Sequence, residues 1–87
     1  MKADRSTIQN LLKTAKGQME GIIKMVEEDR YCIDISNQIL ATQSVLKRAN
    51  NEILHAHMMQ CVKQAMEEGK EEEKIQEILS IIDKLSK

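Results

Sequence analysis

Apolar side chains recur at spacings of three and four in three successive stretches of this chain, the spacing that gathers them on one face of an α-helix. In the first stretch Ile8, Leu11, Leu12, Ala15, Met19, Ile22, Ile23 and Val26 share such a face. Ser6, with Gln9 three residues on, forms a capping box, so the expected helix runs from about residue 6 to residue 28. After a break at 29–34, in which Asp34 is the expected N-cap, a second pattern passes through Ile35, Ile39, Leu46, Ala49, Ile53, Ala56, Val62 and Ala65 to a stop at Gly69. That predicts a helix of about 34 residues, roughly 50 Å long at 1.5 Å per residue. Two shorter neighbours from the same chain cannot cover it, so part of its apolar surface is expected to pack against another subunit. Ile75, Ile78, Leu79, Ile82 and Leu85 define a short third helix, and the acidic stretch 67–73 reads as a solvated turn and helix start. Gly17 and Gly21 each cost the first helix about 1 kcal/mol relative to Ala. Their spacing of four leads us to expect something packed closely against the backbone there.

Composition strengthens the all-α reading. The 87 residues contain no proline, no Phe and no Trp, and a single Tyr, so the core has to be built from Ile, Leu, Val, Met and Ala. One domain of this size, spanning 1–87, has a marginal core when alone. No stretch approaches the roughly 20 apolar residues of a membrane span, and the opening MKADRSTIQN lacks the apolar run of a secretory signal. A cytoplasmic location without a membrane partner is therefore expected. In that reducing setting two cysteines point to metal binding, reactivity or burial before a disulfide. The net charge of −1 and pI near 6.1 give no general attraction to nucleic acid, so any DNA contact needs a local basic patch. Nothing suggests an enzyme: there is no nucleophile with a positioned base, no phosphate-binding glycine loop and no open hydrolytic metal site with a paired carboxylate.

The chemistry-bearing residues are Cys32, His57 and Cys61. His57 and Cys61 are four apart, so on a helix they leave the same face about one turn from each other, a usual arrangement for two ligands of one metal ion. Cys32 lies 25 and 29 residues before them, which over an uninterrupted helix is roughly 40 Å. A helix cannot fold back on itself, so Cys32 can join the pair only from a second, antiparallel copy. The means of 32 with 57 and with 61 fall between positions 44 and 47, the middle of the long helix. A two-fold axis there that buries Ile39, Leu46 and Ile53 also delivers Cys32 to the partner's pair, twice per dimer. Two thiolates and an imidazole suit Cu(I), and also Zn(II) if a fourth ligand is supplied. The alternative left open by the residues is that both cysteines are small buried hydrophobes and His57 a partly exposed helix residue. His55 faces roughly away from His57 and reads as a surface residue, while Met58 and Met59 read as packing.

The run GQMEGIIKMVEEDRYCIDISNQILATQSVLKRAN, followed by His57-x-x-x-Cys61, resembles the CsoR/RcnR family of bacterial metal- and thiol-responsive repressors over essentially the whole chain. The Cys, His, Cys order with gaps of 25 and 4 is similar to its copper-sensing branch. The resemblance implies a three-helix protomer with one long central helix, an antiparallel dimer that pairs into a tetramer, and Cu(I) held across the dimer interface by Cys32, His57 and Cys61. It further implies that Tyr31 and Glu77 form the family's pair that hydrogen-bonds to the ligand histidine, fixing its ring and tying the metal to the third helix.

Differences within the family point the same way. The nickel/cobalt branch uses a histidine near the N-terminus, where this chain reads Met1, Lys2, Ala3; the persulfide-sensing branch lacks the histidine, and formaldehyde sensors lack a cysteine matching Cys61. One departure concerns DNA: Leu11 and Thr14 stand where relatives carry arginines before the Gly-Gln pair. Arg5, Lys13, Lys16, Lys47 and Arg48 remain as candidate phosphate contacts. The expectation is a Cu(I)-responsive repressor that binds operator DNA when metal-free and leaves it on binding Cu(I), derepressing copper-resistance genes. The rival readings are a thiol or persulfide sensor using Cys32 and Cys61, and a helical scaffold that senses nothing.

Overall fold

The computed structural model describes residues 1–85 and contains three helices, α1 (Arg5–Glu27), α2 (Cys32–Glu68) and α3 (Glu71–Leu85). Their order and the dominance of the central one follow the sequence pattern, while the boundaries carry corrections. The N-cap of α1 is Asp4, not Ser6: its carboxylate accepts from the Thr7 backbone N–H at 3.0 Å and from the Thr7 hydroxyl at 2.7 Å. Aspartate does this better than a serine two residues later because its charge also complements the positive end of the helix dipole.

Helix α1 closes through a left-handed residue rather than a glycine. Asp29 has φ 53°, the Arg30 N–H reaches back to the Met25 carbonyl at 3.0 Å, and the Asp29 N–H reaches the Val26 carbonyl at 3.1 Å. These are the two bonds of a Schellman ending, and aspartate is among the few non-glycine residues that tolerate that backbone region. Helix α2 then starts at Cys32, so Asp34 lies inside its first turn and is not the N-cap. At the far end Gly69, with φ 69°, and the Lys70 N–H bonded to the Ala65 carbonyl at 3.3 Å terminate α2 as expected. Glu71, Glu72 and Glu73 fill the first turn of α3, where negative charge stabilises a helix.

The chain gathers into two compact units. One, Asp4–Glu52, holds α1 and the first part of α2. Ile8, Ala15, Thr42 and Ala49 are buried there, the two alanines being small enough to let helix backbones approach. The Thr42 hydroxyl bonds to the Gln38 carbonyl at 3.1 Å, which removes the cost of burying it. Beside this core Met19, Ile22 and Ile23 of α1 face Ile39 and Leu46 of α2 across an open apolar groove. The expected close neighbour at Gly17 and Gly21 is not found among the described residues: a Cβ at either would meet no neighbouring atom within 4 Å.

The other unit contains Met1–Ala3 and the chain from Ile53 onward, with Cys61 and Ala65 buried. Large apolar side chains stay exposed in both units, among them Ile23 at 58% and Met66 at 75%. The chain leaves 6770 Å² accessible, whereas a folded monomer of 10.0 kDa is expected to leave about 5200 Å². Exposed apolar side chains of this size and number mark a surface suited to contact with another chain.

Candidate metal centre

Within the second unit the four-residue spacing on α2 sets His57 and Cys61 on one face, and the two-residue turn at Gly69 and Lys70 sends α3 back so that Glu77 meets them. His57 Nε2 lies 3.0 Å from Glu77 Oε1 and 3.4 Å from Cys61 Sγ. The Cys61 thiol donates to Glu77 Oε2 at 3.4 Å. One imidazole nitrogen, one thiol sulfur and one carboxylate oxygen therefore lie within 4.8 Å of one another. Lys74 Nζ stands 3.6 Å from Glu77 Oε2, one turn earlier on α3. These groups form a small cluster flanked by the Lys74 ammonium.

The electrostatics follow from that arrangement. Cys61 is buried, only 4% exposed, and burial pushes its thiol above the ordinary value of 9.0. The hydrogen bond to Glu77 and the nearby carboxylate charge act in the same direction, against a smaller opposing effect of Lys74. Glu77 moves the other way: the hydrogen bond from His57, then that from Cys61, holds its carboxyl below the ordinary 4.5. The site thus combines a protonated thiol and an ionised carboxylate that share a histidine. All three donors are types that bind transition metals, and the thiol gains ligand character only on losing its proton.

Not all of the residues expected at the site are here. Cys32 opens α2, is exposed, and lies outside this cluster; Tyr31, immediately before it, is exposed too. His55 and Met59 are exposed and Met58 half-buried, with none of them in the cluster. Lys74 went unnoticed in the sequence, although its place three residues before Glu77 on a helix was a usable signal. The five candidate phosphate contacts, Arg5, Lys13, Lys16, Lys47 and Arg48, are all exposed and belong to the Asp4–Glu52 unit.

A family model described as a metal-sensitive transcriptional repressor matches residues 4–84. Among curated proteins, the copper-sensing transcriptional repressor CsoR of Mycobacterium ulcerans (strain Agy99) is 42% identical over 73 residues, covering 84% of this chain and 62% of that protein. The chain thus spans less than two thirds of the length of that relative. Among solved structures, the copper-sensing repressor CsoR with Cu(I) from Geobacillus thermodenitrificans NG80-2 matches with a TM-score of 0.82 and 39% identity, over 94% of this chain and 85% of that one. The nickel-responsive transcriptional regulator InrS matches with a TM-score of 0.88 and 28% identity, over 98% of this chain and 96% of that one.

Proposed function

This chain belongs to the family of metal-sensitive transcriptional repressors, and on that premise we propose that it is a Cu(I)-responsive repressor whose metal-free form binds operator DNA and whose Cu(I)-loaded form releases it. In this reading residues 1–87 act as one DNA-binding and metal-sensing domain in the cytoplasm. The genes it controls serve copper resistance. The observation that carries the reading is the α2 pair itself: a buried thiol one helical turn from an imidazole whose Nε2 is anchored by Glu77 at 3.0 Å, which leaves the other ring nitrogen to bind a metal. Two soft or borderline donors held this close, in a family of metal sensors whose 42%-identical relative is named for copper, favour a thiophilic ion.

Cys32 supplies the third ligand from another copy of the chain, because α2 runs unbroken from Cys32 past Cys61 and cannot bend one end onto the other. The exposed apolar groove of Ile23, Ile39 and Leu46 and the excess accessible surface support a homodimer, which pairs further into a tetramer. Within the site Cys61 and Cys32 give up thiol protons, Glu77 keeps the His57 ring oriented through Nε2, and Tyr31 joins that hydrogen-bonded group from the other chain. Bound Cu(I) supplies a soft centre that joins two chains. Arg5, Lys13, Lys16, Lys47 and Arg48 contact DNA phosphates.

Regulation requires a difference in affinity: copper binds the DNA-free conformation more tightly, and DNA weakens copper binding by the same factor. Anaerobic titration with Cu(I) against a tight competitor, while operator binding is followed by fluorescence anisotropy, tests both halves. Cys32→Ala is expected to keep DNA affinity and lose Cu(I)-driven release. Unchanged release in that variant removes the shared site, and release by persulfide in place of Cu(I) favours a thiol sensor.

A further inference from the structure

We propose that His55 and Met59 form a second, exposed site for a soft monovalent cation, Cu(I), on the outward face of α2, separate from the cluster of His57, Cys61 and Glu77. The choice of ion follows from these two donors themselves. The site therefore does not depend on the shared copper site proposed above, and uses none of its residues.

Position is the first ground. The two residues are four apart within α2, so their side chains leave one face of the helix with Cβ atoms about 5–6 Å apart. A flexible thioether arm reaches across such a gap to an imidazole nitrogen. At about 100° per residue, His55 lies about 200° round the helix from His57 and from Ile53, and about 180° from Leu46. The pair thus points away from the buried cluster and from the apolar side of α2. A second copy packed on Ile39 and Leu46 leaves it open to solvent.

Availability is the second ground. Met59 is 60% exposed, where packing was expected of it, and His55 is exposed. Among the described residues the His55 ring has no side-chain hydrogen bond or ion pair. One exposed apolar side chain is ordinary; what singles out Met59 is an uncommitted imidazole one turn before it. Met66, 75% exposed, lies on the same side but seven residues, about 10 Å, further along, too far to share the ion.

Chemistry is the third ground. A thioether is a soft, uncharged donor that selects Cu(I) over harder cations, and neutral imidazole suits copper as well. Glu52, three residues before His55, and Lys63, four after Met59, border the pair with opposite charges that offset each other. On binding, Cu(I) exchanges two ligands of its carrier or solvent for one nitrogen and one sulfur, and no electrons move. With only two uncharged donors, the site holds the ion less tightly than thiolates do, so it fills after them.

The test is an anaerobic Cu(I) titration of the full, reduced chain with isotopically labelled methionine methyl groups, followed by NMR, for the unmutated protein, His55→Ala and Cys32→Ala. Met59→Leu and Met66→Leu identify the two signals. The Met59 methyl resonance is expected to shift and saturate while that of Met66 stays in place. In His55→Ala the same shift is expected to need about tenfold more Cu(I) or to vanish, since losing a ligand costs no less than losing an outer partner of a metal site. In Cys32→Ala it is expected to persist, so failure of the shared copper site and failure of this one are read from different signals, operator release and the Met59 methyl group. A Met59 resonance that stays unmoved, that moves together with Met66, that responds undiminished in His55→Ala, or that is lost in Cys32→Ala overturns the proposal.

Discussion

At the scale of single residues, burial and a neighbouring carboxylate make the two cysteines chemically unlike. Cys32 is exposed, whereas the Cys61 thiol is buried and holds its proton above the ordinary value. Only the thiolate reacts with alkylating agents, so iodoacetamide should label Cys32 of the metal-free chain well before Cys61, with Cys61 labelling rising steeply only in alkali. The sign of the stability effect follows. The folded chain binds the Cys61 proton more tightly than the unfolded chain, so this stabilisation is complete below the ordinary thiol value of 9.0 and is lost as pH climbs through the folded one. Glu77→Gln removes the adjacent negative charge and should speed Cys61 labelling at any fixed alkaline pH, as read by peptide mass spectrometry. An unchanged rate would mean that burial alone protects the thiol. The pairing of His57 with Cys61 was legible from a spacing of four, but Glu77 was not readable from its own surroundings. A glutamate on an amphipathic helix looks solvated until the turn before it is known, and only the family resemblance singled it out.

At the scale of elements, helix ends carry the information that periodicity lacks. Apolar spacing located all three helices and the long central one, yet it misplaced the starts of α1 and α2, because a cap depends on which side chain reaches a free N–H. Asp4 does so at 3.0 Å, and no pattern of hydrophobic residues could have said so. Gly69 was legible because left-handed backbone at a helix end selects glycine, whereas Asp29 in the same region was not, since aspartate has other reasons to occur in a turn. An added Cβ at Gly69 meets no atom within 4 Å, so the cost of Gly69→Ala is backbone strain alone. It should destabilise by about 1 kcal/mol, measured as a lower urea midpoint with unchanged m-value.

At the scale of the whole molecule, many large apolar side chains stay open to water. Among the described residues only Ile8, Ala15, Ala49, Cys61 and Ala65 form the buried apolar core, while Ile39, Leu46 and Met66 stay open to water. The sequence pattern showed that α2 was too long to be covered by its own neighbours, but not which residues would remain uncovered. That depends on where α1 ends and on the small alanines that draw it close. Ile39→Glu places a charge in the open groove beside Ile23 and Leu46 while removing little from the core. In sedimentation equilibrium the unmutated chain should exceed 10.0 kDa by a whole-number multiple, and Ile39→Glu should shift it towards a single protomer with its helical signal kept. Unaltered mass in that variant would place the contact between copies elsewhere.

The brief reversal between α2 and α3 has a bearing on how sequences of this kind can diverge. Gly69 and Lys70 alone separate the two helices, so they set the rotational phase of everything that follows. Each residue advances an α-helix by about 100°, and a single insertion or deletion inside the early part of α3 would swing Glu77 off His57 while leaving every ligand-type side chain present in the alignment. Conserved composition is therefore a weaker guarantee of a working sensor than conserved length between Cys61 and Glu77.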